Sequence, residues 1–182
     1  VLIASRILYT PDQYLTIDET MIRFNGRSSM KVYMPLKPIK YGFKAYVLAE
    51  SKSGYVLNWM LYEGKKGQHT IIDIVNHLTE GLDGKGHVIC MDRFYTMPKL
   101  FLQLANRNIG AIGAIMTNRA YMDNKMSNES KKLQKWESNF YTHNKELMLT
   151  IWRDSKIVKV LSNFGDDKIV SIERYNKDKK EK

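Results

Sequence analysis

The chain has 182 residues, a length that suits one domain with a small insertion. Hydrophobic residues make up 43% of it, which is enough to form a buried core. The formal charge of +10 favours a polyanionic partner, and nucleic acid rather than a membrane. A basic surface without such a partner is the alternative, since part of the excess lies in the final "RYNKDKKEK". The single cysteine, Cys90, excludes an internal disulfide, and no apolar run reaches the roughly 18 residues that span a bilayer.

Neither end of the sequence has the features of a natural terminus. The start, "VLIASRILYTPDQ", lacks an initiator Met and the charged and apolar regions of a signal peptide, and the other end stops in a charged run. We therefore expect the chain to be part of a longer protein. Residues 1–9 are expected to be the last turns of a helix that Pro11 stops.

The first predicted elements are three strands. Residues 14–24 alternate as a strand does, and residues 41–50 and 55–64 are rich in β-forming side chains on either side of the turn dipeptide Ser53-Gly54. A basic, turn-rich connector, "NGRSSMKVYMPLKPIK", separates the first strand from the other two. This order predicts a three-stranded antiparallel meander.

Alternating helices and strands follow the meander. Thr70 and Asp73 form a T-x-x-D capping box for a first helix that ends at Gly81, and the apolar "HVICM" predicts a buried strand. A second helix is expected to start at Thr96 as N-cap and to stop at Gly110, before a fifth strand in "GAIGAIMT". The order β-β-β-α-β-α-β predicts an α/β fold, with a mixed sheet and helices on its faces.

The character of the chain changes beyond Asn118. A polar, poorly periodic stretch leads into the strand-like segments "ELMLTIWRD", "KIVKVLSNF" and "KIVSIERY". We therefore divide the chain into a first unit, residues 1–118, and a β-rich insertion with the start of a return to the first unit, residues 119–182.

Two carboxylates stand out in the predicted sheet. Asp18 lies on the first strand and Asp92 at the end of the fourth, and a right-handed crossover can place these two strands parallel and adjacent. Adjacent carboxylates can hold hard divalent cations such as Mg²⁺ for phosphodiester chemistry. The alternatives are a helix-capping Asp92, which Thr96 as the better cap makes weaker, and a solvent-facing Asp18.

Several segments resemble, in order, the core of piggyBac-type transposases. "DETMIRFNGR" resembles the family's DE-M-x-x-F-x-GR segment, and "YMPLKPIKYGFK" its Y-M-P-x-KP-x-K-x-G-x-K segment. "MDRFYTMPKL" resembles its second block, and "AIGAIMTNR" and "IWRDSKIVKVLSN" resemble the third and fourth. The likeness covers about residues 9–163, and four blocks in the family's order make it specific.

The resemblance implies a ribonuclease H-like core with a β-rich insertion after the fifth strand. It implies DDE/D chemistry with Mg²⁺ or Mn²⁺ in a two-metal site, with Asp18 as the first catalytic aspartate and Asp92 as the second. The family's third aspartate follows the insertion in a "GGVD"-like segment, and Asp154, Asp166 and Asp167 do not match it. We assign no third acid, and we expect residues 1–182 alone to show little or no cleavage.

The resemblance also implies partners and a setting. It predicts a nuclear protein that binds transposon-end DNA, inserts at TTAA and works as a homodimer when complete, with no membrane partner. The alternative function is a domesticated, transposase-derived module that binds DNA or protein without catalysis. A different ribonuclease H-like nuclease is a third option, which the order of the family blocks disfavours.

Basic residues near the predicted site are candidates for contacting DNA. A cluster of lysines and arginines with interleaved tyrosines surrounds the first connector, and others follow Asp92 and the fifth strand. A solvated basic loop without DNA contact is the alternative for the connector. The DNA-binding candidates are Arg27, Lys37, Lys40, Arg93, Asn118 and Arg119. Glu19 is expected to point to the opposite sheet face from Asp18 and to be structural, and the three tryptophans are expected to pack in the core or the insertion.

Overall fold

The computed structural model of the chain describes residues 8–64, 67, 69–120 and 124–165. The helix predicted over residues 1–9 lies almost entirely outside the described residues, as do the strand predicted in "KIVSIERY" and the two aspartates 166 and 167. No helix in the described ranges is long and apolar enough to cross a membrane.

A mixed sheet forms the centre of the molecule. Its first three long strands pair antiparallel as predicted, with β1 next to β3 and β3 next to β4. Strands β5 and β6 continue the sheet parallel to β1, so that the order β4-β3-β1-β5-β6 crosses the core. The strands are β1 (Tyr14–Arg23), β2 (Val32–Tyr33), β3 (Tyr41–Glu50), β4 (Val56–Leu61), β5 (Val88–Met91) and β6 (Gly110–Ala114).

The two-residue strand β2 lies within the basic connector, where no strand was predicted. It pairs antiparallel with the start of β3 through Val32 and Tyr33. The rings of Tyr33 and Tyr41 stack with their centroids 4.6 Å apart, which holds the connector against the sheet edge.

Two helices cover one face of the sheet. The face carries Leu15 and Ile17 from β1 and Leu48 from β3, all almost fully buried, and both helices contribute to the same hydrophobic core. The first helix, α1 (Ile71–Leu78), has the predicted capping box: Asp73 N donates to Thr70 Oγ1, and Thr70 N donates to the Asp73 carboxylate. The described parts confirm the predicted β-β-β-α-β-α-β order.

The start of the second helix, α2 (Pro98–Asn106), differs from the prediction. Its N-cap is Met97, which makes no side-chain capping bond. Thr96 is buried, and its hydroxyl donates to the backbone oxygen of Asp92 at 2.8 Å instead. Thr96 therefore fixes the turn after β5 rather than capping α2, so the N-cap prediction was wrong.

Beyond β6 the sheet continues into the predicted β-rich segment. Strand β9 pairs antiparallel with β6, β8 with β9, and β7 with β8. The sequence pattern predicted β8 and β9 but not α3 or β7. The elements are a 3₁₀ turn (Thr117–Arg119), α3 (Asn124–Lys132), β7 (Ser138–His143), β8 (Leu147–Arg153) and β9 (Ile157–Ser162). The division at residues 118 and 119 stays a prediction, since the described strands form one continuous sheet.

Arg107 joins the two helices, and its replacement should destabilise the fold. Its guanidinium donates to Thr79 O and Thr79 Oγ1 at 2.9 Å, where α1 ends, and to the Asp83 carboxylate. We expect Arg107→Lys to lower the free energy of unfolding by about 2 kcal/mol, because one ammonium cannot make the same hydrogen bonds to Thr79 and Asp83 at once. Urea unfolding measures the loss. The matched Asp83→Asn change should cost less than Arg107→Lys, because that half-exposed ion pair is screened by water; equal losses would contradict the assignment.

Glu50 fixes the segment before β1, and its contribution should depend on pH. Its buried carboxylate accepts hydrogen bonds from Asp12 N at 2.7 Å, from Tyr9 Oη at 2.8 Å and from the Ser53 hydroxyl. The bond from the Asp12 backbone is the main cause that lowers the pKa of Glu50 from 4.5 to about 2.

Because this pKa is depressed in the folded chain, the stabilisation is present above pH 4.5 and is lost as the pH falls towards 2. We expect Glu50→Gln to be less stable than the parent chain at pH 7 and to approach it in stability near pH 2. Thermal unfolding of both chains across this range measures the difference, and a constant difference would contradict the role of the carboxylate.

Candidate active site at the carboxyl edge of the sheet

The register of β1 and β5 brings Asp18 and Asp92 together. The last residue pair between these parallel strands is Ile17 with Met91, so Asp18 is the next residue within β1 and Asp92 is the first residue after β5. Adjacent strands lie about 4.8 Å apart, and both residues fall where β1 continues past the end of β5. We call this level of the sheet, at the carboxyl ends of β5 and β6 and the middle of β1, the carboxyl edge.

The local backbone orients each carboxylate. Asp18 Oδ1 accepts a hydrogen bond from Glu19 N at 2.7 Å, and Asp92 Oδ1 accepts one from Phe94 N at 2.8 Å. Both residues are exposed. Across the described ranges neither carboxylate has an ion-pair partner, and neither Oδ2 atom accepts a hydrogen bond from protein. Two adjacent negative charges are thus left without a partner in a chain whose formal charge is +10.

Hydrogen bonds from Thr96 and Arg119 fix the turn that carries Asp92. Thr96 N and Thr96 Oγ1 both donate to Asp92 O, at 3.2 and 2.8 Å. Arg119 donates from one side to Arg93 O at 3.3 Å and to Phe94 O at 2.7 Å. The position of Asp92 therefore depends on Thr96 before α2 and on the 3₁₀ turn after β6 as well as on β5.

Glu19 lies on the opposite face from Asp18 and is structural, as predicted. Its side chain is 17% exposed; Glu19 Oε1 lies 3.6 Å from Lys37 Nζ, and Glu19 Oε2 accepts a long hydrogen bond of 3.5 Å from Tyr95 Oη. Burial is the main cause that raises the pKa of the Tyr95 hydroxyl, and the negative charges of Glu19, Asp18 and Asp92 raise it further. Tyr95 thus stays protonated beneath the carboxylates.

The six DNA-binding candidates fall into two groups. Arg27, Lys40, Arg93 and Asn118 are exposed, whereas Lys37 and Arg119 are partly buried and bonded to Glu19 and to the turn after Asp92. Arg93 lies beside Asp92, and Asn118 with Arg119 follows β6 at the carboxyl edge. Their role in binding DNA stays a prediction.

Two further lysines lie near this edge. The sequence placed Lys44 in the basic cluster around the first connector, though not among the six DNA-binding candidates, and it did not indicate Lys159. Lys44 Nζ lies 4.8 Å from the ring centroid of Tyr46 and 5.5 Å from that of Phe94, the exposed aromatic two residues after Asp92. Lys159 Nζ donates to Thr117 Oγ1 at 2.7 Å, and burial lowers the pKa of this lysine. Only the register of β3 and β9 with their neighbours shows these positions.

The carboxylate pair fits a divalent cation of the Mg²⁺ type. Such ions prefer carboxylate oxygen, and proteins often hold Mg²⁺ with one or two carboxylates while water or substrate phosphates complete the shell. Asp18 and Asp92 supply two exposed carboxylates at adjacent positions. The residues that the structure describes contain no cluster of three or more acidic, His or Cys side chains with metal-binding geometry.

Comparisons with known proteins point to one family. The family model described as Transposase IS4 matches residues 5–182. The human PiggyBac transposable element-derived protein 3 is 24% identical over 189 residues, which cover 96% of this chain and 31% of that protein. The human Chimeric ERCC6-PGBD3 protein is also 24% identical, over 96% of this chain and 17% of that protein.

A solved structure shares the fold. The cryo-EM structure of a piggyBac transposase synaptic complex with hairpin DNA matches 90% of this chain and 35% of that one, with a TM-score of 0.80 and 27% sequence identity. This confirms the predicted ribonuclease H-like α/β fold. The chain spans about a third or less of the length of these proteins. It belongs to the IS4 transposase family and is of the piggyBac type.

Proposed function

We propose that this chain is the catalytic core of a DNA transposase, which cleaves DNA strands and joins them to a new site. The observation that carries the proposal is the adjacency of Asp18 and Asp92 at the carboxyl edge, within a transposase fold. Exposed, adjacent carboxylates without a protein cation suit metal-dependent phosphodiester chemistry better than a structural role.

In this proposal Asp18 and Asp92 hold Mg²⁺ or Mn²⁺. Bound divalent cations would lower the pKa of an attacking water or 3′-hydroxyl and stabilise the leaving oxygen. Thr96 and Arg119 keep the Asp92 turn in place, and Glu19 with Tyr95 anchors β1 on the opposite face. Arg93, Lys40 and Arg27 are exposed and can bind DNA phosphates.

Further features of the function extend this proposal to the complete protein. A third carboxylate would complete the metal site, and we assign none within residues 1–182. We propose a nuclear protein that acts on transposon ends and TTAA targets as a homodimer. The solved relative's synaptic complex with hairpin DNA supports DNA as the partner.

A second candidate function is a domesticated module that binds DNA or protein without catalysis. One human relative is named as a protein derived from a piggyBac transposable element, which keeps this candidate open. It predicts DNA binding without metal-dependent cleavage.

An excision assay separates the two candidates. The full-length protein that contains this chain is supplied with DNA carrying its terminal repeats, in Mg²⁺ or in EDTA. Cleavage in Mg²⁺ alone supports the transposase, and DNA binding without cleavage supports the module. The 182-residue chain by itself should bind DNA with strong salt dependence and cut it little, and efficient Mg²⁺-dependent cutting by this chain would show that the two aspartates suffice.

A further inference from the structure

A basic and aromatic surface lies on the inserted segment, away from the carboxylates. It consists of residues 131–136, at the end of α3 and directly after it, and residues 152–156, at the end of β8 and in the β8–β9 turn. These two stretches carry five basic side chains against one carboxylate, Asp154, and Glu137 directly follows them. The basic residues are Lys131, Lys132, Lys135, Arg153 and Lys156, and a cavity of about 460 Å³ opens between the two stretches.

Trp136 projects from this surface. It is 64% exposed, although its sequence pattern predicted a packed residue, so that prediction was wrong for this tryptophan. Its ring lies 5.9 Å from that of Trp152, and Lys135 Nζ lies 4.8 Å from its centroid. Lys135 is an exposed, flexible side chain, so it can leave the ring for a phosphate when another flat group stacks there.

The backbone holds Trp136 in an uncommon conformation. Its φ of 76° lies in the left-handed region, which bulky side chains seldom adopt. Trp136 N donates to Arg153 O at 2.6 Å, Arg153 N donates to Glu137 O at 3.0 Å, and Gln134 N donates to the Glu137 carboxylate at 2.7 Å. The exposed ring gains little stability from burial, yet these hydrogen bonds keep the backbone of Trp136 in a strained conformation. Such a conformation points to a functional role for the side chain, such as binding a ligand.

Topology places this surface at the carboxyl edge. Strand β9 runs antiparallel to β6, so its first residues and the turn before it lie beyond the carboxyl end of β6. The end of β8 and the start of β7 pair at the same edge. Following the order β5-β6-β9-β8-β7, Trp136 lies four strand spacings, roughly 19 Å, from Asp92.

We propose that residues 131–136 and 152–156 form a second DNA site, which binds a single-stranded segment of the DNA being processed. A base stacks on Trp136, and the lysines bind the flanking phosphates. An exposed indole favours a single strand over a duplex, because only unpaired bases offer an open face.

This inference rests on the proposed function for the identity of the DNA, but its test requires no cleavage. Fluorescein-labelled 20-nucleotide single strands and the matching duplex are titrated with the 182-residue chain in EDTA, at several salt concentrations. We expect Trp136→Ala to weaken single-strand binding about tenfold, with no change in salt dependence and little effect on the duplex. Trp136→Phe should retain most of the affinity.

A second variant changes charge instead of stacking. Replacing Lys131, Lys132 and Lys135 together by Gln should reduce the slope of log K against log salt by about two, because each phosphate contact contributes about 0.7. Lys52→Gln and Lys85→Gln, exposed lysines elsewhere on the chain, form the matched control. Trp136→Gly is the control for misfolding. Because glycine adopts this φ readily, the melting temperature of this variant should equal or exceed that of the parent chain.

Single-strand affinity that is equal in the parent chain and in Trp136→Gly would overturn the site, as would equal losses on single strand and duplex. Because these titrations are made in EDTA and measure binding only, a failed excision assay would refute the transposase without changing this result. Absence of an effect of the Trp136 substitutions would refute the second site alone.

Discussion

Excision by the full-length protein is expected to fall about 10³-fold when either Asp18 or Asp92 is replaced by Ala, a loss of about 4 kcal/mol of transition-state stabilisation. The reason is geometric. The two carboxylates occupy the next positions after the Ile17–Met91 pair, so neither can be replaced by a neighbour on the same sheet face. Glu19, the nearest other carboxylate in sequence, points away and bonds Tyr95.

Stability separates this loss of activity from simple unfolding. Both aspartates are exposed, and one carboxylate oxygen of each has no protein partner. Asp18→Asn or Asp92→Asn removes the repulsion between the two carboxylates, so either change should keep or raise the melting temperature in EDTA. Addition of Mg²⁺ should raise the melting temperature of the parent chain more than that of either variant. Glu80→Gln, an exposed acid at the end of α1, should change neither excision nor stability. Equal excision by the parent and both aspartate variants would remove the catalytic assignment.

The core could be predicted from sequence because each of its elements carries its own local pattern. Thr70 and Asp73 form the expected capping box, and "HVICM" forms a buried strand. The handedness of the crossover places β5 beside β1, so the order of the elements is enough to predict that Asp18 and Asp92 are adjacent. The chemistry of the pair depended on the resemblance, because carboxylates at strand ends also cap helices or face solvent.

The surroundings of the site could not be predicted because they depend on packing between distant segments. Thr96 has the residue type and position of an N-cap, yet the close approach of β6 turns its hydroxyl towards Asp92 O. Helix α3 has a polar sequence without an apolar period, so nothing local indicated it. The backbone position of Trp136 depends on the hydrogen bond from its N to Arg153 O, which forms beside the pairing of β7 with β8.

Gly113→Ala should damage both the fold and the site, because the added methyl group has no room. A Cβ at this position would lie 2.2 Å from Thr96 Oγ1 and 2.5 Å from Met91 O, the backbone next to Asp92. Either Thr96 loses its bond to Asp92 O or β5 and β6 separate, and overpacking of this kind costs about 3 kcal/mol. For a chain of this size the melting temperature should fall by about 6–12 °C.

The link to the site makes this glycine more informative than a core residue. Because the clash falls on the groups that hold the Asp92 turn, excision should drop even at temperatures where the variant stays folded. Gly113→Ala combined with Thr96→Ala should recover only part of the stability, since the contact with Met91 O remains. The converse change on the same strand, Ala114→Gly, removes one exposed methyl group. It should lower the free energy of unfolding by about 0.5–1 kcal/mol and leave excision unchanged at temperatures where the variant is folded. Calorimetry and excision measured below the melting temperature test both statements, and a Gly113→Ala protein with parental stability would show that β5 and β6 are not packed this closely.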